Sequence, residues 1–181
     1  MTAGSGTISI EDISTDINDV LLTSTGGISL DGSITTAVDS DETGATSGVV
    51  TLTGPVTLAG NTTIDTDSTS NNGAVTFTTT VDGEKTLTIT SGSGAVEFGG
   101  NIGATTALSD LTVNSSAGTG AITFSGNVGT STAAGAAAVA IGNADTASIT
   151  FAGVEFTSSG AQTFTADAYS ITGADSTFAT S

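Results

Sequence analysis

Residues 120–129 read Gly120-Ala121-Ile122-Thr123-Phe124-Ser125-Gly126-Asn127-Val128-Gly129. Within them lies a short pattern: apolar, any, apolar, any, glycine, any, apolar, carried by Ile122, Phe124, Gly126 and Val128. The pattern recurs along the chain as Ile28, Leu30, Gly32, Ile34, then Val50, Leu52, Gly54, Val56, and again as Val96, Phe98, Gly100, Ile102. Two versions depart from it. Val75, Phe77 and Val81 bracket Thr79 at the glycine position, and Ile149, Phe151, Gly153 runs on into Val154 and Phe156. The leading apolar residues are 22, 25, 21, 26 and 27 positions apart. Self-similarity at a period in the twenties is the mark of a solenoid.

A second apolar pair lies between successive versions of the pattern. Leu87 and Ile89 precede Val96, Leu111 and Val113 precede Ile122, and Val139 and Ile141 precede Ile149. Val20 and Leu22 take the same place before Ile28. Each pair alternates with small or polar residues, so one face of each short strand turns inward and the other outward. Each repeat therefore holds three strands: one with the Val/Ile-x-Phe/Leu pair, one starting at the apolar residue after the glycine, and one with the Leu-x-Ile pair.

Three strands of about four residues plus turns fill a period near 24, the length of one coil of a parallel β-helix. A single coil cannot bury its apolar side, but stacked coils share a continuous core and pair backbones about 4.8 Å apart. Each inward Val, Ile, Leu or Phe contributes about 1.5–3 kcal/mol. The reading is an all-β chain forming one domain over residues 1–181, with coils best defined over 19–171. About seven coils would make a rod about 34 Å long.

Glycine two residues after the Phe or Leu suits a corner, where the backbone bends sharply and often takes positive φ. Asn101 and Asn127 follow two of these glycines and are placed to stack as a polar ladder. Pro55, the one proline, falls in the same slot, where a missing backbone donor costs little. The coil is expected to distort at Thr79 and over Val154–Phe156. Ile13, Ile17, Val20 and Leu21 also have helical spacing, but Ser14, Thr15, Asp16, Asn18 and Asp19 are poor helix formers, so the segment reads as strand and turn. Gly160, Ala161, Thr163 and Phe164 echo the earlier Gly-Ala-Val-Thr-Phe strand, with Gln162 in place of the inward Val.

Composition narrows function by exclusion. The chain has 18 acidic residues against one basic residue, Lys85, for a net charge of −17. Phosphate binding needs clustered Lys or Arg, so nucleic acid is not an expected partner, and anionic membrane surfaces are disfavoured. No apolar run approaches 18 residues, so no membrane-inserting helix is expected. With no His, Cys or Arg, nucleophilic triads, zinc sites and phosphate cradles lack their residues. No catalytic residue is assigned. The carboxylate pairs Asp39/Asp41 and Asp65/Asp67, the candidates for glycoside hydrolysis, sit in polar stretches without an aromatic sugar platform.

Calcium is the one ligand that the residues invite, since it takes six to eight oxygens. Asp39, Asp41 and Glu42 form the densest acidic cluster, and Asp16 with Asp19 and Asp65 with Asp67 come next. None matches an EF-hand loop or the glycine-aspartate nonapeptide of calcium-loaded β-rolls. Threonine faces, such as Thr51/Thr53, Thr76/Thr78 and Thr86/Thr88/Thr90, raise ice binding as a further reading, although Glu97 and Ala152 interrupt them.

Leu111-Thr112-Val113-Asn114, followed by residues 120–129, resembles the repeats of filamentous-haemagglutinin-like and autotransporter-type β-strand-repeat adhesins of bacterial surfaces. Leu87 to Gly103 has the same look, and the resemblance spans most of residues 19–171. It implies a right-handed parallel β-helix, secretion to the cell surface, and a non-enzymatic role as stalk or fibre. It transfers no catalytic or receptor-binding residue. No cap signature is evident at either end, so the expected partner is another copy stacked head to tail, or neighbouring repeats of a longer chain. A calcium- or glycan-binding adhesin domain is the alternative.

Overall fold

A computed structural model describes residues 1–36, 46–68, 71–130, 133–152, 155–172 and 177–180. All the strands pair in parallel, and no helix occurs among the described residues. The chain winds as a β-solenoid with three sheets running along its length. Six turns separate Val20 from Tyr169, a mean of about 25 residues each. Thr2–Ala3, Ile8–Ile10 and Ile13–Ser14 form a shorter turn beneath them.

One column of inward side chains runs up each sheet. In the first sheet Leu22, Leu52, Phe77, Phe98, Phe124, Phe151 and Ile171 lie in register. The second follows Ile8, Ile28, Val56, Val81, Ile102, Val128, Phe156 and Phe178. The third follows Ile13, Ile34, Ile64, Ile89, Val113, Ile141 and Phe164. Like residues meet because the pleat alternates and the register holds from turn to turn. Four phenylalanines stack face to face, with centroids 5.2 Å apart between Phe77 and Phe98, 5.1 Å between Phe98 and Phe124, and 5.6 Å between Phe124 and Phe151. Phe156 meets Phe124 and Phe151 edge-on at 5.4 and 5.9 Å.

The phase of the early repeats differs from the expectation. Val20–Ser24 pairs with Val50–Thr53, so Val20 and Leu22 belong to the first sheet rather than the third. Ile28–Leu30 pairs with Val56–Leu58 in the second sheet, and Ile34 lies beside Ile64 in the third. Gly32 therefore turns the second corner, not the first. The physical reason is that Leu-x-Gly occurs at both corners, as Leu52-Thr53-Gly54 and Leu58-Ala59-Gly60 show. At the first corner of the early turn Ser24 stands where later turns have glycine, and that corner carries two extra residues before Ile28.

Corner glycines fall into two classes. Gly54 has φ +132°, in the region that L side chains avoid. Gly100 and Gly126 do not take positive φ; there the backbone of the turn below leaves no room for a Cβ, through Thr79 and Gly100 respectively. The expectation of positive φ thus holds at Gly54, and close approach explains the other two.

Thr79 does not break the coil. Phe77 stays in register with Leu52 and Phe98, and Val81 with Val56 and Ile102. Its hydroxyl is buried without a hydrogen-bond partner. Val154 lies outside the described residues, but the turn does distort around Phe156. Glu155–Ser158 passes from the second sheet, where Phe156 faces Val128, to the third, where Ser158 faces Ala136. Gln162–Phe164 then pairs with Val139–Ile141. Its likeness to the Val-Thr-Phe strands of the first sheet is therefore misleading. The first-sheet strand of the last turn is Tyr169–Ile171.

The Ile13 segment is strand and turn, as its composition requires: Ile13–Ser14 pairs with Ile34–Thr35. At the corner that follows Gly129, the Thr130 N–H donates to the Ala133 carbonyl at 2.8 Å.

Candidate functional site

Polar side chains concentrate at the corners, where strand pairing lapses and backbone N–H groups need acceptors. Asn101 Oδ1 accepts the Asn127 N–H at 2.9 Å, and Asn127 Oδ1 accepts the Glu155 N–H at 3.0 Å. The expected asparagine ladder is therefore present, with each amide joining one turn to the next. Acidic residues do the same work elsewhere. Asp12 Oδ1 accepts the Ser33 N–H at 2.7 Å, Asp19 Oδ1 accepts the Val49 N–H at 2.9 Å, and Asp82 Oδ1 accepts from Thr105 and Thr106 at 2.8 and 3.0 Å. A carboxylate accepting a backbone N–H makes a charge-assisted bond. These acids bridge turns of the solenoid, a role that composition alone does not reveal.

Asp65 and Asp67 sit at the exit of the third sheet, where they close a local turn. Asp65 Oδ1 accepts the Asp67 N–H at 3.0 Å, and Asp67 Oδ1 accepts from Asn72 Nδ2 at 2.8 Å. Asn72 Oδ1 in turn accepts from the Ser68 N–H and hydroxyl, both at 2.9 Å. Asp39, Asp41 and Glu42 lie outside the described residues. Among the described residues no three of His, Cys, Asp and Glu gather as a metal-binding group.

The threonines do point outward. Thr86, Thr88 and Thr90 alternate with buried Leu87 and Ile89. In the third sheet Thr63, Thr88, Thr112, Ala140 and Thr163 line up across successive turns, and Ala140 breaks the row. In the first sheet Thr51, Thr76, Glu97, Thr123 and Thr150 line up, interrupted by the Glu97 carboxylate. A broken row does not present the repeating hydroxyl lattice that ordered water would need.

An apolar depression opens at the C-terminal end of the coil. Phe151, Gln162, Phe164, Tyr169, Ile171 and Phe178 line a depression of about 360 Å³. Tyr169 is 53% exposed and Ile171 57%, although both occupy inward columns. Among the described residues no strand pairs beyond Tyr169–Ile171, and these two side chains stand exposed.

Comparison with protein-family models, with curated proteins and with solved structures finds no match for this chain.

Proposed function

We propose that this chain is a non-enzymatic structural module of a secreted bacterial surface fibre or adhesin, serving as a stiff rod. One observation carries the reading: the patterned residues go into three inward columns, and corner residues such as Asp12, Asp82, Asn101 and Asn127 bridge successive turns. Such a chain holds its shape along one axis by nearest-neighbour stacking, which is what a stalk requires. The adhesin resemblance of residues 87–103 and 111–129 supports a place outside the cell. So does the single Lys85, which offers trypsin-like proteases one cleavage site in 181 residues. The net charge of −17 keeps such rods apart in solution.

The test is a search for chemistry and ligands. Calorimetric titration with calcium is expected to give no binding heat and to leave the unfolding midpoint unmoved. Acidic polysaccharides are expected to come through incubation at unchanged length. A saturable calcium heat with a raised midpoint would favour a calcium-dependent adhesin domain, and shortened polysaccharide would make the chain an enzyme.

A further inference from the structure

We infer that Asn72-Gly73 is a site of spontaneous covalent modification, which the folded coil holds closed and which opening of the corner between the third and first sheets releases. It is the one Asn-Gly pair in the chain. Asparagine is thermolabile, and a following glycine has no side chain to shield its backbone nitrogen. The reaction needs only water. The Gly73 amide nitrogen attacks Asn72 Cγ, the Cγ–Nδ2 bond breaks, and ammonia leaves with the amide proton. Water then opens the succinimide ring at one of its two carbonyls. Attack at Cγ leaves aspartate at position 72. Attack at the main-chain carbonyl leaves isoaspartate, whose main chain runs through the side chain and is one atom longer. Nothing is oxidised or reduced.

Ring closure requires the Asn72 side chain to swing onto the next backbone nitrogen and the peptide plane to rotate. Both are restrained in the fold. The Asn72 amide is tied by the three bonds already described, two accepted from Ser68 and one donated to Asp67. Gly92 of the next turn lies against that amide, so closely that a Cβ there would collide with Asn72 Nδ2 and Asp67 Oδ1. The backbone is clamped on both sides of the scissile geometry. The Ser47 N–H donates to the Asn71 carbonyl at 2.9 Å, and the Val50 N–H to the Ala74 carbonyl at 2.9 Å. The buried Thr66 hydroxyl donates to the Gly73 carbonyl at 2.6 Å. Gly73 is itself buried, with the Gly48 carbonyl of the turn below where a Cβ would stand. The reaction therefore proceeds through the fraction of molecules in which this corner is open.

Either product fits the closed corner worse than asparagine does. Aspartate at position 72 sets a carboxylate against Asp67 Oδ1, where Asn72 Nδ2 now donates at 2.8 Å. Isoaspartate adds a main-chain atom between the Asn71 and Ala74 carbonyls, which the turn below holds in register. Modification thus makes an opening of this corner permanent.

The test incubates the full chain in mildly alkaline buffer, folded and in guanidinium, and follows the exchange of –NH2 for –OH at Asn72 by peptide mass spectrometry. The folded chain is expected to lose the amide at least about tenfold more slowly, because only its open fraction reacts. Asn72→Asp made directly examines the product without a refolding step. It is expected to lower the unfolding midpoint, and adding Asp67→Asn is expected to recover most of the loss by restoring a donor between the two positions. Equal rates in the folded and unfolded chain, or no loss of the amide in either, overturns the inference. So does a midpoint for Asn72→Asp at or above the parent's, or a double variant no more stable than Asn72→Asp alone.

Discussion

Replacing Phe124 by alanine is expected to destabilise the protein by about 3–5 kcal/mol, the range for deleting a fully buried aromatic side chain. Phe124 is 0% exposed and touches rings on three sides: Phe98 below, Phe151 above and Phe156 at its edge. Truncation to alanine removes the middle of the ladder and opens a cavity, because neighbouring turns are fixed by backbone pairing and cannot collapse inward. In a chain of this size the loss corresponds to a fall of roughly 6–20 °C in unfolding midpoint. Phe124→Leu keeps apolar volume and is expected to cost about 1.5 kcal/mol or less. Denaturant titration followed by far-UV circular dichroism measures both. A loss below about 1 kcal/mol for the alanine variant would mean that the ring stack is not the packed core described above.

Gly54→Ala is expected to cost about 2–5 kcal/mol, from two sources acting together. At φ +132° any side chain is strained, by about 1–2 kcal/mol. The new Cβ would also run into the backbone carbonyl oxygen of Ser24 in the turn below, a group that cannot swing aside, and overpacking of that kind costs about 1–3 kcal/mol. Gly6→Ala supplies the control. Gly6 lies in the first turn with nothing within 4 Å of where a Cβ would stand and no positive φ, so its replacement should stay within about 0.5 kcal/mol of the parent. Equal midpoints for the two alanine variants would remove close stacking of turns as the reason for glycine at this corner.

The fold class was legible because its signal is redundant. Val-x-Phe and Leu-x-Ile pairs recur at a nearly constant interval, and only stacked coils bury all of them. Phase was less legible. The letters of Ile28-x-Leu30-x-Gly32-x-Ile34 match the later pattern, yet they span the second and third sheets, since a glycine two residues after leucine marks more than one corner. Gln162-Thr163-Phe164 misleads for a related reason: a strand of three residues carries too little pattern to name its sheet. The distortion near Phe156 was readable from its crowded apolar run, whereas Thr79 keeps the register of its neighbours with its hydroxyl buried.

The candidate site was less visible still. No sequence signal marks Asp12, Asp19 and Asp82 as acceptors of backbone N–H groups from the adjacent turn. Those partners lie 21, 30 and 23 positions away in sequence, beyond any local motif.

The central claim is that residues about 25 apart in sequence sit one strand spacing apart in a single column. Pulsed electron paramagnetic resonance on paired spin labels tests it most directly. Leu21, Thr51, Thr76, Glu97, Thr123 and Thr150 occupy one outward column of the first sheet. Labels at Thr51 and Thr150 span four rungs, about 19 Å, and labels at Leu21 and Thr150 span five, about 24 Å. The account predicts narrow distributions whose centres differ by one rung, about 5 Å. Distances that fail to step with rung number, or that spread as in an unstructured chain, would contradict it.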